Sequence, residues 1–347
     1  KIRELVAGGA LVIGPRPAAS PSLQGGAEKA DAEVRALAAE LWGDLDGAQR
    51  NRRFYGKGLV VWGLPVEEAL AMKNVAKDAE FAGPLDSEVS WIHRRTGDAD
   101  FYFVANRTDR VQEIQSRFRV SGKEAEIWHP DTGIMEPAAY RIEENRTAVP
   151  LRLEPRESVF VVFRRPAAAP ERTLPRISAA LLAEIDGPWD VAFPPGLGAP
   201  PGFRMKELAS WTQNSDAGVK YFSGTATYGK TLSVPRAWLQ TGARCVLDLG
   251  VVKDIARVSV NGRRLETLWK PPYRTDVTGA LKAGANRLEI EVTNQWTNRL
   301  IGDKAAGPGK SVLSPSSSPM GAFGPPPALS ASGLIGPVRF LRLPPRQ

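Results

Sequence analysis

The sequence predicts a mainly β chain. An α/β segment is expected over residues 1–85, a small antiparallel β-sandwich over 86–165, a Pro/Ala linker over 166–175 and a β-jelly roll over 176–347. Three observations carry this. The hydrophobic period changes from helical to alternating near Glu88. Short alternating runs then recur, separated by turn residues. Gly 33 and Pro 29 in 347 residues favour turns and short strands over long helices.

In the first segment, "IRELVAGG" reads as a helix stopped by Gly8 and Gly9, and "ALVIG" as a short buried strand. "ADAEVRALAAELWGD" places Val34, Leu37, Leu41 and Trp42 on one helical stripe. "KGLVVWG" is a second buried strand, and "PVEEALAMKNV" a helix with Pro65 near its first turn. This is βαβ-like material from a parallel sheet. Gly8 and Gly9 do not make a nucleotide loop, because no G-x-G-x-x-G follows a strand.

The sandwich is expected from the runs "VSWIHRR", "DFYFVANR", "VQEIQSRFRV", "EAEIWH", "AAYRIE", "TAVPLRLE" and "SVFVVFRR". Thr96-Gly97-Asp98 and Pro130-Asp131-Thr132-Gly133 mark turns between them. The jelly roll rests on "YFSGTATYGKTLSVP", "RCVLDLGVV", "IARVSVNGRRL", "NRLEIEVTNQW" and "PVRFLRL". "LLAEIDGPWDVAF" and "GLIGPVRFLRL", near its two ends, both read as buried strands and are expected to lie adjacent. Asn261-Gly262 is the strongest hairpin signal in the chain. Residues 303–332 are rich in Gly, Pro and Ser without periodicity and are expected as one long loop.

An apolar fraction of 42% and a charged fraction of 24% are those of an ordinary globular protein. No apolar run approaches the roughly 18 residues of a membrane span, so no membrane partner is expected. The chain opens on Lys1 inside what reads as a domain, and "KIRELVAGGALVIG" lacks the layout of a signal peptide. A fragment or processed product is the expectation. Cys245, the only cysteine, excludes an internal disulfide and a multi-thiolate metal site; beside Leu247 and Leu249 it reads as a core thiol. The net charge of +8 is uneven: residues 1–164 carry 23 basic and 25 acidic side chains, residues 165–347 carry 23 and 13. The basic residues are scattered over strands and turns, with no basic helix or RNA-binding signature, so nucleic acid is not an expected partner.

His93 and His129 each lie near a strand-borne Trp, a common place for a packed histidine. Glu289 and Glu291 share a strand face opposite Leu288, Ile290 and Val292, the pattern of a solvent-facing strand; Asp98 and Asp100 border a turn. None of these forms a persuasive acid/base pair for glycoside hydrolysis. Asn106-Arg107-Thr108 and Asn145-Arg146-Thr147 match a glycosylation pattern but read as turns. The groups that grip sugars are better represented. A pyranose offers a CH face to aromatic rings and hydroxyls to amides and guanidinium groups. Trp269, Tyr273, Asn294, Trp296, Asn298 and Arg299 supply these types near strand ends and are the candidate carbohydrate-binding residues. The competing reading is that Trp269 and Trp296 plug the sandwich.

"DGPWDVAF", "ELASWT", the run from "LDLGVVKDI" through "LWKPPYRTDVTG" to "NQWTNRLIGD", and "SGLIGPVRFL" resemble the galactose-binding-like domain of family 2-type glycoside hydrolases. In the form seen here they are most similar to the C-terminus of the family 106 α-L-rhamnosidases. "VSWIHRRTGDADFYFVANR" through "VFVVFRR" resembles the β-sandwich of those enzymes, and "GPRPAASPSLQ", "LWGD" and "GKGLVVWG" their α/β segment. The resemblance implies a flavodoxin-like α/β remnant, a small β-sandwich and a galactose-binding-like jelly roll. It also implies a periplasmic or extracellular setting, with oligo- or polysaccharide and an N-terminal catalytic barrel of the same polypeptide as partners. Such a barrel needs about 250 residues, for which this chain has no room. No catalytic residue, metal or cofactor is therefore expected here. A stand-alone carbohydrate-binding protein and a module that only braces a barrel are the alternatives.

Overall fold

The computed structural model describes residues 1–21, 26–175, 178–240, 242–306, 311–312 and 328–344. The chain divides into two compact units, Lys1–Glu80 and Phe81–Gln347. It is mainly β, built from several antiparallel sheets.

In the first unit, strands Leu11–Ile13 and Gly58–Val61 pair in parallel, and Arg52–Tyr55 adds antiparallel to the second. Helix Ala27–Trp42 lies between the parallel strands in sequence, as a βαβ crossover requires. Gly58–Val61 is a continuous apolar run because both of its faces are covered. Val60 packs with Val6, Ala38, Leu41 and Trp42, whereas Leu59 and Val61 pack with Ala69. The expected stripe on the long helix needs one correction. Leu37 is exposed and Ala38 is buried, so the helix is rotated slightly from the face that its largest side chains suggest. The small Ala38 lets the helix approach the sheet.

In the second unit, all seven expected sandwich runs form strands: Val89–Thr96, Ala99–Asn106, Gln112–Phe118, Glu126–Trp128, Tyr140–Glu143, Arg146–Leu153 and Ser158–Phe163. Met135–Pro137, short and exposed, pairs with Glu126–Trp128 and had no alternating signal. One sheet holds Val89–Thr96, Ala99–Asn106, Ser158–Phe163 and Glu126–Trp128; in the other, Arg146–Leu153 lies between Gln112–Phe118 and Tyr140–Glu143. Their inner faces meet through Tyr102, Phe118 and Phe163, with ring centroids 4.6 to 6.1 Å apart. The stretch 166–175 is hydrogen-bonded to this sandwich. Ala167 N–H donates to Gly122, Ile142 N–H donates to Pro170, and Glu171–Arg172 pairs with Tyr140–Glu143.

The remaining strands form a six-stranded, a four-stranded and a two-stranded antiparallel sheet, the last pairing Val251–Lys253 with Gly333–Gly336, around one core. Trp211 stacks on Tyr228 and meets Phe193 and Phe222 edge-on, and the Tyr228 hydroxyl accepts from Leu334 N–H. Cys245 is buried, and burial raises its thiol to about 11, as a core position demands. Arg339–Leu343 pairs on one side with Ala180–Glu184 and on the other with Arg244–Asp248, so the two ends of this region are adjacent. Ala180–Glu184 is an edge strand and mostly exposed rather than buried. Asn261 and Gly262 adopt φ of 52° and 79° and join Ile255–Val260 to Arg263–Leu268. This is the two-residue turn with both central residues left-handed, which Asn-Gly favours.

Part of the expected 303–332 loop is helical, in Thr297–Ala306. Gly302 sits where an added Cβ would lie 2.5 Å from the Tyr221 ring, so it permits close packing. Residues 307–310 and 313–327 of that stretch lie outside the described residues.

Candidate functional site

Strand Arg263–Leu268 is the edge of the six-stranded sheet, and Arg274–Asp276 is the edge of the four-stranded one. The segment 269–273 crosses between them. Its two prolines limit the backbone conformations that this short connection can take. Tyr273 faces inward, buried, with its hydroxyl donating to the Asp254 carbonyl at 2.7 Å. Trp269 faces outward and is 61% exposed.

The turn 130–133, between Glu126–Trp128 and Met135–Pro137, reaches the same place. His129 N–H donates to the Ile134 carbonyl and closes the turn. Asp131 meets Lys270 at 2.8 Å. Burial pushes the Asp131 carboxyl up, but the Lys270 ammonium outweighs this and holds it below the usual range. Arg274 pairs with Asp248 at 2.7 Å and reaches Glu154 at 3.6 Å. Between these walls lies a groove of about 530 Å³.

His129 is held by two carboxylates, with Nε2 3.1 Å from Glu136 and Nδ1 3.6 Å from Glu157. The Glu136 contact, then the Glu157 contact, raises the imidazole to about 9 against the opposing effect of burial. A ring that stays charged near neutrality is poorly poised as a general base. His93 stacks on Tyr102 and contacts Asp100 at 3.1 Å, as a packed histidine does. Glu289 and Glu291 contact Arg287 and Arg257, at 3.5 and 3.2 Å, while Leu288, Ile290 and Val292 are buried opposite them. Asn106 is buried, and its amide holds the Arg110 and Glu154 carbonyls, so that sequon is a structural turn. Among the described residues no cluster of His, Cys, Asp and Glu has the arrangement of a metal site.

The remaining candidates stand together elsewhere. The Asn294 amide donates to the Phe222 carbonyl and the Ser332 hydroxyl, and its oxygen accepts from Gly224 N–H. Asn298 is buried, donates to the Ser330 carbonyl and the Ser332 hydroxyl, and accepts from Ser330 N–H. Arg299 is buried against Asp303 at 2.9 Å. Trp296 is 65% exposed beside these groups. A smaller polar hollow of about 350 Å³, lined by Gln295, Thr297 and Asn298 with Lys253 and Asp254, lies there. The lining of the larger groove includes Trp269 and none of the asparagines. The segments "LWKPPY" and "TNQWTNR" thus line two separate hollows. Sequence reasoning did not single out Glu136, Glu157, Glu266 or Lys270, whose only signal is the turn 130–133 on another part of the chain.

Residues 1–142 match the family model described as alpha-L-rhamnosidase, and residues 209–318 match that described as glycosyl hydrolase 2 galactose-binding domain-like. The structure of a rhamnosidase from Novosphingobium sp. PP1Y superimposes with a TM-score of 0.75 at 40% identity, covering 98% of this chain and 32% of that one. The chain is similar to part of an α-L-rhamnosidase-like glycoside hydrolase. A curated Formosa agariphila protein, provisionally named β-glucuronidase, is 25% identical over 88% of this chain and 44% of its own length. This rhamnosidase-like chain therefore spans less than half of either relative.

Proposed function

We propose that this chain is the C-terminal accessory region of an α-L-rhamnosidase-like enzyme that degrades polysaccharide in the periplasm or outside the cell. It handles sugar and supports a catalytic barrel located elsewhere on the same polypeptide. The observation that carries this is the match of nearly the whole chain to about a third of a rhamnosidase at 40% identity. The internal pairing of His129, Glu289 and Glu291 supports a non-catalytic role. Residues 1–85, with their parallel strand pair and crossover helix, are read as the remnant of a flavodoxin-like domain.

The longer polypeptide tests this reading when assayed with and without the region corresponding to residues 176–347. Loss of the region should lower kcat/KM on rhamnose-containing polysaccharide about tenfold, the value of one lost aromatic contact, and spare a small aryl α-L-rhamnoside. An equal fall on both substrates, with a lowered melting temperature, would favour the bracing role instead.

A further inference from the structure

The groove between the turn 130–133 and the segment 266–274 presents two large apolar side chains to solvent, Trp269 at 61% and Met135 at 59% exposure. A concave site of a few hundred Å³ with an exposed aromatic and a few fixed polar groups has the make-up of a ligand site. We propose that this groove is a binding site for a neutral oligosaccharide, with Trp269 as its stacking platform. The proposal rests on the sugar-handling reading above and gives it a location.

Charge selects the ligand class. The lining carries the carboxylates of Asp131, Glu136, Glu157 and Glu266. Against them stand His129, Lys270, Arg244 and Arg274. With the imidazole protonated these are four negative and four positive groups. Arg244 and Arg274 are also answered by Asp276 and Asp248 outside the lining. No surplus cation is left to hold a uronate or phosphate; the surplus lies with the carboxylates, which repel an anionic sugar and accept from neutral hydroxyls.

The same pairs leave hydrogen-bonding capacity for hydroxyls. A carboxylate has about four acceptor sites and an ammonium three donors, so an ion pair such as Asp131–Lys270 uses only part of either. The pairing also fixes the groups in place before a ligand arrives, which reduces the ordering cost of binding. A pyranose CH face packs on the exposed indole while its hydroxyls meet this rim. Trp296 is equally exposed, but the neighbouring Asn294 and Asn298 amides are bonded inside the fold.

The test titrates the chain with a rhamnose disaccharide and cellotriose as neutral probes and trigalacturonate as an anionic one. Binding is read by calorimetry and tryptophan fluorescence. Trp269→Ala should weaken neutral binding by about tenfold or more, the value of one large apolar side chain. Trp269→Phe should retain most of it, and Trp296→Ala should bind as the unaltered chain does. All three should keep the melting temperature of the unaltered chain, and trigalacturonate should bind more weakly than either neutral probe. Neutral binding that survives Trp269→Ala but is lost in Trp296→Ala would overturn the groove and leave the sugar-handling reading intact. Absence of binding to either neutral probe, or preference for trigalacturonate, would overturn the proposal while leaving an accessory, bracing role untouched.

Discussion

His129 is the residue whose chemistry the structure changes most. In sequence it is one of two histidines beside a tryptophan; in the fold it stands between Glu136 and Glu157 with its imidazole raised to about 9. A folded-state value above the ordinary 6.5 means that the proton stabilises the fold. The contribution is complete below about pH 6.5 and is lost as pH rises through about 9. His129→Gln should therefore lower the melting temperature at pH 6, and the gap from the unaltered chain should shrink towards pH 10. A gap independent of pH would show that the imidazole acts by packing alone. The six candidate sugar contacts show how far residue type reads through. Residue type is legible in the sequence, but exposure depends on tertiary direction, and Asn298 and Arg299 lie in the helix Thr297–Ala306 rather than at a strand end. Trp269 and Trp296 point out, whereas Tyr273, Asn298 and Arg299 point in and bind their own chain.

At the scale of elements, alternation located the strands because each sheet has one wet face and one packed face. Gly284–Thr293 alternates almost residue by residue between exposed or half-buried and buried positions. Elements without a face to bury were harder to see. Met135–Pro137 is three exposed residues long, and the helix Thr297–Ala306 carries a glycine that serves packing. The stretch 166–175 has a linker's composition, yet backbone hydrogen bonds fasten much of it to the sandwich. Composition reports stiffness but not attachment. Arg339–Leu343 shows the converse, since its signal at the far end of the chain belongs to an interior strand. Removing residues 333–347 should leave Ala180–Glu184 and Arg244–Asp248 without their shared partner and abolish the cooperative melting of the region that follows the 86–165 sandwich. A truncated chain that melts at the original temperature, followed by circular dichroism, would contradict that topology.

For the whole molecule, the charge imbalance between the chain's halves did not point to nucleic acid. Arginines of the basic half, among them Arg257, Arg274 and Arg339, are paired with carboxylates around the sheets. The groove at Trp269 depends on segments more than a hundred residues apart, which no local pattern can bring together. What local patterns did supply was the succession of folding elements and the resemblance to rhamnosidases, and the comparisons bear out that resemblance. The proposed role of this chain is that of a non-catalytic part of such an enzyme. It is tested most directly by incubating the purified chain with an aryl α-L-rhamnoside and following phenol release. No turnover above the uncatalysed rate is expected. Turnover that disappears in Glu289→Gln or Glu291→Gln would contradict the claim and place the reactive centre on the strand Gly284–Thr293.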